Sequence, residues 1–181
     1  MSPRFIRAMH PKREVQPKPE TLQRLLGLGW VGQTKIHGHR CQLHISSKTE
    51  EPIVAYTRIG KHHTRPLTPA MEKEVRRLFT PKRGWNVIDA EWYKPEDKLY
   101  VFDFLKKEDK ILKLLTFPER FKLLPREYIS PRVMTLPLLK DEVSCLKVLS
   151  SPRKDVEGLV FKSMARKGFA DTSIIRCRKR N

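Results

Sequence analysis

The sequence is poor in cysteine, in acidic residues and in long apolar runs. Its three cysteines, Cys41, Cys145 and Cys177, are odd in number, far apart and never in a CxxC spacing. They suggest neither a disulfide framework nor a zinc site. No stretch approaches the ~18 consecutive apolar residues of a membrane-spanning helix. The opening residues, MSPRFIRAMHPKREVQPKPE, are basic but hold no apolar segment of signal-peptide length. The reading is a soluble, cytoplasmic protein. No amphipathic basic helix stands out, which disfavours a membrane-surface partner.

What is present in excess is positive charge. Lys and Arg number 38 against 20 Asp and Glu, a net +18. Such a surface attracts polyanions, of which nucleic acid is the usual one. A length of 181 residues suits about one domain, and 39 % apolar residues spread along the chain suffice for a core. Residues 1–18 read as an irregular basic lead-in (Arg4, Arg7, Lys12, Arg13, Lys18), either a solubilising arm or a segment that wraps a duplex; residues 19–181 read as the folded domain.

Periodicity predicts helices over Pro19–Leu26, Pro69–Phe79, Phe117–Leu124 and Asp141–Leu149. It predicts strands over Val31–Ile36, Arg40–Ile45, Ile53–Arg58, Trp85–Tyr93, Leu99–Phe104, Val156–Lys162 and Ser173–Arg178. Strands in adjacent pairs with helices between them point to an α+β fold with largely antiparallel sheets.

Polar residues interrupt several of these strands: KIHGHR (Lys35–Arg40), IDAEWY (Ile88–Tyr93), LYVFDF (Leu99–Phe104), EGLVFK (Glu157–Lys162) and IIRCR (Ile174–Arg178). In this order they resemble the motifs of the covalent nucleotidyltransferase superfamily: ATP-dependent DNA ligases, RNA ligases and mRNA-capping guanylyltransferases. The resemblance spans residues 30 to 178. It implies a ligase-type nucleotidyltransferase (adenylation) domain, ATP-grasp-like, with antiparallel sheets flanked by helices and no OB-fold domain in this chain.

The resemblance also assigns roles. Lys35, in Lys35-Ile36-His37-Gly38, would attack the α-phosphorus of ATP, expel pyrophosphate and hold AMP as a phosphoamide. A lysine of ordinary pKa, about 10.4, is protonated at neutral pH, so its setting must remove the proton. Lys162, Arg176 and Arg178 would supply that cationic setting and neutralise the α-phosphate. Gly38 would let the amine approach the phosphate with no Cβ in the way. Glu91 would contact the ribose or a metal, and Glu157 the divalent cation, Mg²⁺ or Mn²⁺. Phe102 would stack on adenine, and Asp103 reads as structural. Arg40 would handle phosphate, Arg58 would lie near the ribose and the nick, and His37 completes the expected nucleic-acid contacts.

Three positions depart from the common pattern. His37 stands for an aspartate, Arg176 and Arg178 for two lysines, and Asp89-Ala90-Glu91 for a DGE triplet. Arginine keeps the charge but never gives up its proton. The histidine and the closing IIRCR resemble the RNA ligase 2 group; Arg40, IDAEWY and TFPERFKLL resemble DNA ligases, towards which the balance leans. The implied protein is a monomer that seals nicks in a nucleic-acid duplex. A guanylyltransferase and a non-catalytic nucleic-acid-binding module are the alternatives.

Overall fold

Local chemistry sets the helix starts. Thr68 accepts a hydrogen bond from the Met71 amide, with proline at the first helical position. Thr116 and Glu119 form a reciprocal capping box, and Asp141 accepts from the Ser144 amide at 2.8 Å. The computed structural model describes residues 1–125 and 130–180. In chain order the elements are β1 (Arg13–Glu14), α1 (Pro19–Gly27), β2 (Trp30–Ile36), β3 (His39–Ser46), β4 (Val54–Tyr56), α2 (Pro69–Phe79), β5 (Trp85–Tyr93), β6 (Lys98–Lys107), β7 (Lys110–Ile111), α3 (Phe117–Phe121), β8 (Val133–Thr135), α4 (Glu142–Leu149), β9 (Val156–Ser163) and β10 (Ile174–Arg178).

The strands form two sheets. One runs β1-β10-β9-β2; the other runs β4-β3-β5-β6-β7, with β8 added to β6. The pairings are antiparallel except β1 with β10 and β8 with β6. The chain changes sheet at residues 36–39: β2 pairs with β9, and β3 with β4 and β5. Each sheet has its own core. Helices α2 and α3 cover one face of the larger sheet, where Cys41, Leu43, Ile45, Ile88, Ala90 and Trp92 alternate inward to meet Met71, Val75 and Phe117. Helices α1 and α4 cover the smaller sheet, packing Leu22, Leu25 and Cys145 on Leu159, Phe161, Ile175 and Cys177. All three cysteines are buried and free.

The lead-in is irregular apart from β1, and it is docked. The Gln42 side chain exchanges two hydrogen bonds with the Ile6 backbone, at 2.9 and 2.7 Å. The Met9 carbonyl accepts from Arg40 at 3.0 Å, and Asp171 holds the His10 amide at 3.0 Å. Gln42 and His44 alternate away from the helices, yet both are buried, because this segment lies over them. A segment rich in charge therefore spans the two sheets and is part of the folded body.

Asp103 pairs with Arg120 of α3 through two hydrogen bonds of 2.9 and 3.0 Å, with both side chains almost wholly buried. Breaking one half of such a pair leaves an uncompensated charge in a low-dielectric interior. Asp103→Ala is expected to lower unfolding stability by about 3–5 kcal/mol, read as a lower midpoint in urea denaturation.

Candidate active site

A cavity of about 330 Å³ opens between the sheets. The smaller sheet contributes Gln33 and Lys35 from β2, Glu157 and Lys162 from β9, and Ile174 from β10. The larger sheet contributes Arg40 from β3, Glu91 from β5 and Phe102 from β6. His10 and Pro11 of the lead-in and the exposed Arg58 complete the wall.

Two β-bulges aim key side chains. In β9, Lys35 faces Gly158 and Ile36 faces Val156, so Glu157 is the unpaired extra residue. Simple alternation would group it with Leu159 and Phe161 in the core beneath α1 and α4; the bulge turns it to Lys35, whose amine meets its carboxylate. In β6, Asp89 faces Asp103 and Ala90 faces Val101, leaving Phe102 as the extra residue. Val101 and Phe104 thus both stay in the core, and the Phe102 ring is presented to the cavity. The Arg40 guanidinium lies 4.8 Å and the Lys162 ammonium 4.6 Å from its centroid.

Burial sets the protonation states. It pulls the Lys35 pKa below its ordinary value, with Arg178 and Arg176 adding repulsion while Glu91 opposes the shift. Burial pushes the Glu91 carboxyl up to about 7, against Arg40 and Lys35. Lys162 is 2 % exposed, and burial brings it down to about 7. Its nearest groups are the faces of Phe102 and Phe117, the latter at 4.3 Å, and the Phe102 carbonyl. The cavity thus sets an amine of lowered pKa beside two carboxylates, Glu91 and Glu157, an arrangement typical of functional sites.

The remaining expected residues fall as follows. Arg40 is committed to Asp89, at 2.6 and 2.5 Å, and to the lead-in; its charge reaches the cavity already half neutralised. His37 is 69 % exposed on its side chain and bonds Glu157 at 2.6 Å. Arg58 lies 3.3 Å from His10. Arg176 and Arg178 do not line this cavity. They follow Ile174 along β10 and clamp Glu14 of β1 at 3.0, 2.7 and 2.8 Å, acting on Lys35 through their field. Gly38 lines the cavity as well, and its own sheet already requires it: a Cβ there would stand 2.6 Å from the Trp92 carbonyl oxygen, where the chain enters β3 beside β5. Gly158, at φ +147, adjoins the β9 bulge, and a Cβ there would stand 2.3 Å from the Cys177 carbonyl.

One residue escaped the sequence reading. Gln33, two before Lys35, is buried and donates to the Leu136 carbonyl at 3.1 Å. That bond fixes its amide, and its oxygen has no partner among the described residues. A polar residue at a β2 position that should be apolar was the available signal.

No family model matches the sequence, and no curated protein matches it. Solved structures do. A mycobacterial DNA ligase D complexed with ATP and MES matches at TM-score 0.57 and 14 % identity, over 96 % of this chain and 61 % of that one. The ligase domain from M. tuberculosis LigD matches at 0.57 and 15 %, over 92 % and 58 %. Pmar-Lig_Pre matches at 0.60 and 15 %, over 96 % and 46 %. The chain has the ligase nucleotidyltransferase fold. The chain spans 46–61 % of the length of those proteins. Among its described residues no helix is long and apolar enough to cross a membrane.

The buried cation Lys162 yields a prediction. Lys162 has a lowered pKa in the folded state, so the unfolded chain binds the extra proton between about pH 7 and 10.4. The burial penalty is full below pH 7 and fades as pH rises. Lys162→Met is expected to raise Tm by about 3–10 °C at pH 6. The gain over the parent should shrink steadily from pH 7 towards 10 in differential scanning calorimetry.

Proposed function

We propose that this chain is an ATP-dependent polynucleotide ligase that seals 5′-phosphate/3′-hydroxyl nicks through AMP carried on Lys35, with DNA as the duplex. The contact between the Lys35 amine and Glu157, at the rim of a cavity holding Phe102 and Lys162, carries this reading. Lys35 is the nucleophile and Glu157 the group that receives its proton. Lys162 sits deep in the cavity, where an incoming phosphate would favour its protonated form and be stabilised by it, an attraction that a buried setting makes stronger. Phe102 offers a face for a base, already flanked by two cations. Arg58 and the half-neutralised Arg40 stand at the ribose and phosphate end, and His37, bonded to Glu157 but with most of its side chain exposed, meets the nucleic acid.

Gln33 supports adenine over guanine. Gln33 lines the cavity; its amide nitrogen is held by the Leu136 carbonyl, which leaves its buried amide oxygen as an acceptor with no partner among the described residues. Adenine offers an amino donor where guanine has an oxygen. This favours ATP over GTP and a ligase over a guanylyltransferase.

The residues also fit Mg²⁺. Among the described residues no cluster of three His, Cys, Asp or Glu could hold a metal unaided. Glu91 and Glu157 line one cavity, and a hard cation that binds through one or two carboxylates plus substrate phosphates needs no more. Bound there, it would neutralise phosphate charge.

The structural neighbours are named as DNA ligases, which supports a DNA duplex; the net charge of +18 supports a grip on its phosphates. The hydrogen bond from His37 to Glu157 favours the second reading, an RNA ligase, because histidine at this place resembles that group. Nicked all-DNA and all-RNA duplexes, offered to one preparation, separate the two.

Incubation with Mg²⁺ and ATP labelled at the α-phosphate should leave label on the denatured protein, and Lys35→Ala should reduce it to background. Because the Lys35 pKa is lowered, the labelling rate should rise with pH and level off below about 10.4. GTP should label poorly, and Gln33→Leu should narrow the preference. Equal labelling of Lys35→Ala would sink the proposal.

A further inference from the structure

Behind the wall that carries Lys35 and Glu157 lies a buried polar cluster joining the two sheets. Tyr100 belongs to β6 of the larger sheet, and Asp155 directly precedes β9 of the smaller one. They are 2 % and 5 % exposed, and neither lines the cavity. The Tyr100 hydroxyl donates to Asp155 Oδ2 at 3.1 Å. Arg153 donates to both carboxylate oxygens, from Nε at 3.0 Å and from Nη2 at 2.5 Å, and its Nη2 also donates to the Tyr100 oxygen at 3.2 Å. Burial pushes the Asp155 carboxyl up, yet its bonds to Arg153 and Tyr100 outweigh burial and hold it below the usual carboxylate range. The backbone of the same residue reaches the site. Its carbonyl accepts from the His37 amide at 2.8 Å, where the chain passes from β2 to β3. Two residues on, the Glu157 carbonyl accepts from the Lys179 amide at 2.9 Å. Apolar packing stiffens the join: Ile36 and Val156 meet Tyr100 and Leu136 in one buried cluster, with Phe102 packed against it.

We propose that Asp155, clamped by Tyr100 and Arg153, is a positioning residue: it fixes one sheet against the other behind the cavity wall and so holds the Glu157 carboxylate against the Lys35 amine. The inference rests on the reading of Lys35 as the adenylated residue and of Glu157 as the acceptor of its proton. Glu157 is the extra residue of a bulge and has no partner across the ladder. Its neighbours on β9 are fixed by pairing with β2, but it is not, so its place depends on what holds the chain on either side. Lys179 holds its own carbonyl. On the other side the chain is held by Asp155, whose side chain is tied to the larger sheet and whose carbonyl is tied to the His37 amide. Hydrogen bonds suit this task because they set a length and a direction, whereas apolar side chains alone can slide. The tie matters for rate because a displacement of about 1 Å between reacting groups can cost a hundredfold. Tyr100 and Arg153 therefore act on the chemistry through Asp155 and Glu157, without touching the nucleotide.

The test separates positioning from plain support of the fold. The initial rate of labelling by ATP carrying label at the α-phosphate is measured over a range of ATP concentrations, with each variant held well below its own unfolding midpoint. Asp155→Ala is expected to lower the rate at saturating ATP about ten- to hundredfold, with the half-saturating ATP concentration moved by less than about twofold. Phe102, Lys162 and Arg58 keep their places in the cavity, so nucleotide binding is spared. Asp155→Asn keeps one oxygen that accepts, and is expected to regain most of the rate. Tyr100→Phe leaves the ring in its cluster and removes one hydrogen bond to a charged group; a loss of about five- to tenfold is expected. A folded Asp155→Ala that labels at the parent's rate, or one whose loss is made good by more ATP, overturns the inference. If Asp155→Ala does not fold, Tyr100→Phe decides by the same two criteria. A parent chain that never takes label overturns the ligase reading itself, so the two failures are distinct.

Discussion

The site depends on taking charge out of water in the gap between two sheets. Lys35, Glu91, Glu157 and Lys162 all face that gap, and burial is the largest influence on Lys35, Glu91 and Lys162. Each pKa moves towards the neutral form, the carboxyl upwards and the amines downwards, as desolvation requires. A lysine on an open strand would be an ammonium and chemically idle. Here burial lowers the pKa of the amine, and the Glu157 carboxylate lies within reach. The rest of the architecture builds that gap: two sheets to bound it, a chain that switches sheets just after the amine, and two bulges that turn Glu157 and Phe102 into it.

Much of this was legible in the sequence because it is local. The helix over Pro69–Phe79 and the strand over Trp85–Tyr93 appear with the expected bounds, since capping chemistry and period alone determine them. The short strands β1, β7 and β8 were not legible, because two or three residues carry no period and pair only where tertiary structure brings an edge. The strand expected over Ile53–Arg58 contracts to Val54–Tyr56, and the helix after Phe117 ends at Phe121.

The site was legible as a set of residues and illegible as geometry. Motif order identified Lys35, Glu91, Phe102, Glu157 and Lys162, all of which share one cavity. Bulges have no reliable sequence signal, so alternation puts Glu157 on the wrong face. Charge symbols likewise conceal partners. Arg40 reads as free for phosphate but spends itself on Asp89, and Arg176 and Arg178 read as pocket residues but hold Glu14. Glu14 lies more than twenty residues before Lys35, in a segment whose composition suggested a loose arm. Nothing local ties it to β10.

The lead-in shows how misleading net charge is as a guide to order. A basic stretch with few apolar residues lacks the surface to fold by itself. It is held because the body presents complementary polar groups: the Gln42 amide, the Asp171 carboxylate and the free edge of β10. Met9, buried at 3 % exposure, adds an apolar anchor worth about 2 kcal/mol. These ties are individually modest and most are polar, so their net worth depends on what the body's groups would otherwise meet. Arg40 and Arg176 would meet water or an incoming phosphate. The same segment that walls the cavity with His10 and Pro11 therefore also moderates its cations, and the two effects cannot be separated by deleting it. Single substitutions at Glu14 and at Met9 divide them, since one removes the carboxylate and the other the anchor.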